Sequence, residues 1–106
     1  MTKLYAIHTR NETLPVPFDL DGRFLFRSET LELIHLILKS GEVIGMHSQP
    51  IPVTFFIFEG EGLLTVEKDV IQASREMMIE VQAGAMRSWR NTGEYPLKML
   101  VIKQLI

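Results

Sequence analysis

The sequence predicts an all-β fold in which short strands form a sandwich or barrel. Short apolar runs recur along the chain, and turn-forming residues (glycine, proline, asparagine or acidic residues) separate most of them. No run keeps the helical period of about 3.6 residues for long. At 106 residues the chain is expected to form one domain, residues 1–106, large enough for a modest core.

The expected strands follow one another at short intervals. A turn signal at Asp19-Leu20-Asp21-Gly22 precedes a strand at residues 23–26. The apolar run 30–38 is short and stops at Ser40-Gly41, which favours a buried strand over a short helix. Glu59-Gly60-Glu61-Gly62 is expected to form an exposed hairpin. The other strands are expected at residues 53–58, 63–68, 76–81, 87–89 and 97–103.

Composition excludes several classes of protein. The net charge is −2 and no two Lys or Arg residues are adjacent, so a nucleic-acid partner has little support. Cysteine is absent, which excludes a disulfide framework, a thiolate nucleophile and a cysteine zinc site. Residues 1–10 lack the apolar segment of a leader, and the uncharged stretch 43–58 is too short and too broken to span a bilayer. We therefore expect a cytoplasmic protein without a membrane partner.

A segment in the middle of the chain has the spacing of a metal-binding motif. That motif reads G, five residues, H-x-H, three or four residues, E, six residues, G. Gly41, His47 and Gly60 fall at the matching positions. Gln49 occupies the position of the motif's second histidine, and Val53 occupies the position of its glutamate. The segment resembles the first motif of the cupin family, with two of its metal ligands replaced.

A second segment, 82–91, resembles the second cupin motif, P-x-G-x-x-H-x-x-x-N. Gly84 and Asn91 match it, whereas Gln82 replaces the proline and Arg87 replaces the last histidine. The resemblance is strongest from residue 41 to residue 91. It implies a small double-stranded β-helix, the jelly-roll barrel of the cupin type.

Strand alternation predicts which side chains share the interior. Trp89 is large and apolar, so it should face inward, and Arg87 two residues earlier then shares its face. If His47 points inward, so does Gln49, and Phe55 belongs to a further inward set. The predicted ligand-binding residues are therefore His47, Gln49, Phe55, Arg87 and Trp89.

No metal or other cofactor is expected at this site. The resemblance implies three imidazoles and one carboxylate around a divalent ion, and only His47 remains of them. Gln49 is a weak neutral ligand, Val53 offers no donor, and Arg87 carries a permanent charge without a free lone pair. A guanidinium in an apolar cavity needs an acceptor. We therefore expect a small anionic ligand, held by Arg87 with His47 and Gln49.

Other interpretations of these residues remain open at this point. Pairing of Arg87 with Glu59, Glu61 or Glu80, or extension of its side chain to the barrel mouth, explains its presence equally well. A lone histidine such as His47 is more often a hydrogen-bonded structural residue than a ligand-binding one. A metal-free binding or sensing protein is the leading hypothesis for function. One alternative is a cupin enzyme, such as an isomerase, an epimerase or a dioxygenase-like protein, with a degenerate metal site. Another is a structural module whose pocket is filled by side chains.

The sequence also predicts a homodimer. Phe56 and Phe58 alternate with Phe55 and Ile57, so both faces of this strand are apolar. His35 should lie on the same outer face. Large exposed apolar patches are rare on monomers, and small cupins commonly pair. We expect residues 4–7 to cover part of the outer face and a partner subunit to cover the rest.

Overall fold

The computed structural model describes residues 4–17 and 19–105, which form two antiparallel β-sheets. A short 3₁₀ turn, Arg10–Glu12, precedes the strands. The strands are β1 (Asp21–Arg27), β2 (Leu31–Leu38), β3 (Val43–His47), β4 (Val53–Glu59), β5 (Glu61–Val66), β6 (Asp69–Ser74), β7 (Met78–Val81), β8 (Arg87–Arg90) and β9 (Leu97–Gln104).

The two sheets form a jelly roll. One sheet has the order β1-β2-β9-β4-β7, and the other has the order β3-β8-β5-β6. Most connections carry the chain from one sheet to the other, which is the pattern of a double-stranded β-helix. The predicted all-β fold is confirmed. Within the described residues the hydrogen-bonded ladders leave two separate sheets and not a closed barrel.

The core lies between the sheets and is densest at one end. In β9 the inward residues Leu97, Met99 and Val101 are buried and alternate with half-buried neighbours, the period of a strand with one core face. Leu38 and Ile57 lie with Leu97 and Met99 at this end, and both are fully buried. We call this the sealed end. It leaves the opposite end of the sandwich free to hold a cavity.

The hairpin after β5 differs from the sequence-based expectation. The expected strand 63–68 stops at Val66, and the chain turns at Glu67, which has a φ of 52°. It then forms β6, which the sequence analysis did not predict. Ala73 is the only buried residue of β6. Ile71 and Ala73 face the core, but the exposed apolar Val70 beside Ile71 obscures the alternation in the sequence.

Gly60 forms a corner between the sheets, so the predicted hairpin at residues 59–62 is wrong. β4 ends at Glu59 in the five-stranded sheet, and β5 begins at Glu61 in the four-stranded sheet. Gly60 has a φ of +86°, and a Cβ atom there would lie 2.5 Å from the carbonyl oxygen of Pro96. The backbones approach so closely at this corner that only glycine fits.

Gly60→Ala is expected to lower the free energy of unfolding by about 2–4 kcal/mol, from left-handed backbone strain plus the clash with Pro96. Gly41 provides the matched control, because its φ is +81° but nothing lies within 4 Å of its Cβ position. Gly41→Ala should cost only about 1 kcal/mol. Urea unfolding of both variants measures the difference. Equal losses would contradict the role of the close approach.

The segment before β1 lies against the outer face of the five-stranded sheet. Arg10 Nε donates a hydrogen bond of 2.8 Å to His35 Nδ1, and Arg10 Nη2 bonds Asp21 Oδ1 at 2.6 Å. The His35 ring stacks on Phe58 with centroids 5.5 Å apart. His8 meets Phe26 edge-on at 5.9 Å. Side chains of residues 8–10 therefore cover part of this face.

Among residues 4–7, which were predicted to cover part of the outer face, the apolar side chains of Leu4 and Ile7 do not do so. Leu4 is 99% exposed and Ile7 is 74% exposed, so their apolar side chains gain no burial on the sheet. His8 and Arg10 contact the sheet in their place. His35 lies on the outer face, as alternation predicted, because its neighbours Ile34 and Leu36 are buried.

The partial burial of His35, together with the nearby charge of Arg10, makes the stability of the protein pH-dependent. Burial, then the charges of Arg10 and Lys98, lower the pKa of His35 below its usual value of 6.5. The His35 side chain therefore binds its proton at a higher pH in the unfolded chain than in the folded protein. The free energy of unfolding should fall as pH drops below 6.5 and level off below the folded pKa.

Urea unfolding at intervals from about pH 8 to about pH 5 measures this slope. His35→Asn removes the titrating group and should flatten the part of the slope that His35 contributes. His8→Asn is the matched control, because His8 is exposed and should leave that part unchanged. A His35→Asn variant with the full slope of the parent would contradict this account.

No helix in residues 4–17 and 19–105 is long and apolar enough to cross a membrane. The expected absence of a leader concerns residues 1–10, of which residues 1–3 lie outside the described residues. The cytoplasmic location therefore stays a prediction.

Candidate ligand-binding site

A cavity of about 570 Å³ lies between the sheets, at the end opposite the sealed end. Its walls come from both sheets and are mostly apolar, with Ile34, Phe55 and Val101 on the five-stranded side. Asp19 and Val43 line it and are exposed, so its mouth opens at the surface. All five residues predicted from the sequence line this cavity: His47, Gln49, Phe55, Arg87 and Trp89. Its volume lies in the range of small-molecule sites.

Arg87 is a buried cation without a counter-ion. Its side chain is 1% exposed, and its Nε donates to the Ala85 carbonyl at 3.2 Å. Its Nη2 is buried and has no hydrogen-bond partner among the described residues. Burial lowers the pKa of Arg87, but a guanidinium keeps its charge in proteins. The cavity therefore contains an uncompensated positive charge.

The carboxylates considered as partners of Arg87 do not pair with it. Glu59 bonds Lys98 at 3.3 Å, on the outer side of the sandwich. Glu80 faces outward opposite Thr54, and Glu61 begins β5 close to Gly93, near the sealed end. Within the described chain, no ion pair joins Arg87 to any carboxylate. Structural pairing is therefore not the reason for this arginine.

A β-bulge sets the direction of His47. Ile44 pairs with Trp89 and His47 pairs with Arg87, so three steps along β3 match two steps along β8. The extra residue lets both Ile44 and His47 face the cavity, whereas strict alternation would turn one of them outward. Gly45 within the strand was the sequence signal for such a bulge.

One ring nitrogen of His47 has a hydrogen-bond partner in the described chain, and the other has none. Its Nδ1 lies 2.9 Å from the Gly45 carbonyl oxygen. A carbonyl only accepts, so Nδ1 carries the proton in this bond. The bond fixes the ring, and Nε2 forms no hydrogen bond within the described part of the chain. His47 therefore offers Nε2 to the cavity.

Trp89 forms the apolar wall beside Arg87. Its ring meets Phe55 edge-on, with centroids 5.3 Å apart, and its side chain is 1% exposed. The indole Nε1 is buried without a partner among the described residues, as is Arg87 Nη2. Buried donors are nearly always bonded. The two residues that carry these unpaired donors lie on one strand and line the same cavity.

Two charged lining residues, Lys103 and Asp19, escaped the sequence analysis. Lys103 continues the inward set of β9 after Val101, so alternation could have identified it. Asp19 lies in the loop before β1, where no periodicity determines the direction of a side chain. Only the tertiary structure places it at the cavity mouth.

The residues at the four motif positions do not fit a divalent metal. His47, Gln49, Val53 and Arg87 all line the cavity, so the chain does bring these positions together. They offer one imidazole and one neutral amide, and the Arg87 charge would repel a cation by several kcal/mol at an effective dielectric constant of about 20. No group of three His, Cys, Asp or Glu residues in the described ranges could hold a metal ion.

Asn91, which matches the second motif, has a structural role. Its side chain is 1% exposed, and Nδ2 donates to the carbonyls of Leu38 and Tyr95, each at 2.9 Å. Its Oδ1 accepts from the Gly93 amide at 2.9 Å. These bonds connect the ends of β2 and β8 to the loop before β9. The second motif therefore keeps its structural asparagine without its metal ligand.

The fold and the cavity define a small jelly-roll domain with an interior cavity. This chain belongs to the cupin domain family, whose model, Cupin_2, matches residues 34–103. None of the curated proteins matches the chain.

Solved structures share the fold at low sequence identity. A predicted oxalate decarboxylase from Thermotoga maritima has a TM-score of 0.86 at 17% identity, over 95% of this chain and 100% of that chain. A cupin superfamily protein from Desulfitobacterium hafniense has a TM-score of 0.76 at 16% identity, over 100% and 95%. A double-stranded β-helix protein from Klebsiella pneumoniae has a TM-score of 0.80 at 14% identity, over 94% and 90%. At these identities the similarity concerns the fold alone.

Proposed function

We propose that this cupin is a metal-free binding protein for a small molecule with an anionic head and an apolar body. The observation that carries the proposal is the buried Arg87, whose Nη2 has no partner among the described residues and which lines an open cavity. Leaving a buried charged donor unpaired costs free energy. A bound carboxylate removes that cost through a charge-assisted hydrogen bond.

The remaining walls support the apolar part of this ligand. Trp89, Phe55 and Ile44 are apolar and line the same space as Arg87. Small-molecule sites combine such walls with a few convergent polar groups that orient the ligand. Here the Gln49 amide is an additional donor for the anionic head, whereas His47 Nε2 accepts in the neutral ring and suits a donor group of the ligand. An acid with an aliphatic or aromatic body satisfies both kinds of surface.

The two alternative functions have less support. A structural module needs a filled pocket, and about 570 Å³ between the sheets is unfilled. An enzyme that uses the family's metal chemistry needs ligands that this chain replaces by Gln49, Val53 and Arg87. An enzyme without a metal would depend on His47, whose Nε2 faces no protein acid or base within hydrogen-bond distance among the described residues.

Fluorescence titration tests the proposal, because Trp89 is the only tryptophan in the chain and lines the cavity. Octanoate is the probe, and octanol, with the same body but no charge, is the control. Octanoate should change the Trp89 emission and bind more tightly than octanol by roughly ten- to a hundredfold. Equal binding of the two would contradict the anion site, and chemical conversion of the probe would favour the enzyme.

Metal analysis of protein purified without chelator tests the metal-free part of the proposal. Mass spectrometry of the purified protein should find no stoichiometric transition metal. The physical reason is the donor set, one imidazole with a buried guanidinium beside it. A tightly held metal at one ion per chain would contradict the proposal and favour the enzymatic alternative.

We also propose that the protein is a homodimer through the outer face of the five-stranded sheet. Phe58 and Phe26 are 37% and 38% exposed there, and Met78 on the edge strand is 59% exposed. Two-fold dimers are the commonest way to cover such a face. Chromatography with light scattering should give about twice the chain mass of 12.2 kDa.

A charge on the outer face should break this dimer. Phe58→Glu is expected to shift the mass toward 12.2 kDa at micromolar concentration. Tyr95→Glu is the control, because Tyr95 is 74% exposed in the loop before β9, away from this face. A wild-type mass near that of one chain would rule the dimer out.

A further inference from the structure

A second cation, Lys103, lines the same cavity as Arg87. It follows Val101 in the inward set of β9 and is half-buried. No ion pair or hydrogen bond joins its side chain to any other described residue. The cavity therefore has two positive charges that the described chain leaves without a counter-ion.

The two cations lie at the same level on opposite sheets. Trp89 of the four-stranded sheet touches Phe55 of the five-stranded sheet, which marks a common level in the sandwich. Arg87 lies two residues from Trp89 along β8, and Val53 lies two residues from Phe55 along β4, in both cases toward the mouth of the cavity. Lys103 is the cross-strand partner of Val53. Stacked sheets are about 10 Å apart, so Arg87 and Lys103 face the cavity from its two sides.

The carboxylates near this level do not neutralise Lys103. Glu32 is its partner across the β2–β9 ladder, but Glu32 Oε2 bonds Arg27 Nη2 at 3.4 Å. Asp19 lines the cavity mouth, is exposed, and forms no ion pair within the described ranges. The cations of Arg87 and Lys103, against the one solvated carboxylate of Asp19, give the cavity a net positive charge. Such a charge in an apolar space favours a ligand with more than one negative charge.

We propose that the preferred ligand is a dicarboxylate with an apolar middle, held by Arg87 at one end and Lys103 at the other. The inference rests on the proposed anion site and adds the class of its ligand. The carboxylate at one end accepts from Arg87 Nη2, and the second carboxylate accepts from Lys103 Nζ. The methylene or aromatic middle contacts Phe55, Val53 and Trp89. A compact anion such as phosphate is too small to contact both cations. It would also leave these apolar walls without contact to a ligand.

Calorimetric titration with matched acids tests the proposal. Octanedioate and octanoate share a chain length and differ in the second carboxylate, and butanedioate and hexanedioate vary the span. One of the dioates should bind about tenfold more tightly than the monoacid of equal length. The dioate with the highest affinity then reports the distance that the two cations span.

Lys103→Met separates this proposal from the proposed function. The variant should bind the best dioate no more tightly than the matching monoacid, with the monoacid affinity unchanged. Lys103→Arg keeps the charge and should keep the preference for the dioate. Asp19→Asn removes the carboxylate at the mouth and should strengthen dioate binding. Stronger binding would confirm that the charge near the cavity mouth controls affinity.

Each outcome of these titrations has one meaning. A dioate preference that survives Lys103→Met, or no dioate preference at any length, overturns the dicarboxylate proposal and leaves the anion site standing if octanoate still binds. No binding of octanoate or of any dioate overturns the anion site itself. Loss of monoacid binding in Lys103→Met would show that Lys103, and not Arg87, is the primary anchor, and would overturn both assignments.

Discussion

Arg87→Met is expected to make the protein more stable and a weaker binder of anions. The guanidinium is buried and its Nη2 is unpaired among the described residues, so the folded protein bears a desolvation cost that methionine removes. Removal of one buried unsatisfied polar group corresponds to about 1–3 kcal/mol of unfolding free energy. Methionine is also long and flexible enough to fill the space. Thermal unfolding should show a higher midpoint for the variant.

The same substitution should weaken octanoate binding by about 1.5–3 kcal/mol, the range for a hydrogen bond to a charged group. A residue whose removal raises the stability of the protein and weakens its ligand binding belongs to a functional site. Removal of a structural arginine would instead lower both the stability and the affinity. Calorimetry on the parent and the variant measures the binding change. An Arg87→Met protein that is less stable, or that binds octanoate with unchanged affinity, would contradict the assignment.

Arg90 on the same strand provides the matched control. It carries the same charge and lies three residues further along β8, but its side chain is exposed and no ion pair within the described ranges includes it. Arg90→Met should leave the thermal midpoint and the octanoate affinity close to those of the parent. A change in stability or binding as large as that of Arg87→Met would show that net charge, and not burial in the cavity, explains the result.

Rebuilding the metal site is the second large expected effect. Gln49→His, Val53→Glu and Arg87→His together place three imidazoles and a carboxylate at positions that already line one cavity. That donor set suits zinc and nickel, and the substitutions also remove the repelling guanidinium. The triple variant should bind zinc at one ion per chain, whereas the parent should not.

Adding His47→Ala to the triple variant should weaken the metal site again, because His47 is the only family ligand that the parent keeps. Calorimetry with zinc and with nickel measures both variants. A well-folded triple variant that binds neither metal would mean that these four side chains do not converge as the motif alignment requires. Binding by the parent at the same stoichiometry would contradict the proposal that the site holds no metal.

The main part of the site could be predicted because strand alternation is a local property. Trp89 had to face inward, and Arg87 two residues away had to follow it. The same rule would have found Lys103 from Val101. It was insufficient at β3, where the bulge brings Ile44 onto the cavity face together with His47. A bulge depends on the partner strand, so the β3 sequence alone does not determine it.

The features that could not be predicted depend on the relative position of distant segments. Whether Arg87 paired with a carboxylate depended on the directions of Glu59 and Glu80, which the sheet turns outward. The corner at Gly60 resembles a hairpin in sequence, and only the approach of Pro96 shows why the chain changes sheets there. In β6 the exposed apolar Val70 lies beside the inward Ile71, which obscures the alternation that would indicate a strand.

A crystal structure of the protein with octanoate tests the central claim most directly. The claim is that the cavity is a metal-free anion site with Arg87 as its anchor. The account predicts the carboxylate of octanoate within hydrogen-bond distance of Arg87 Nη2, and its chain against Phe55 and Trp89. A metal ion coordinated by His47, or a cavity without the carboxylate in which Arg87 pairs with Asp19, would contradict it.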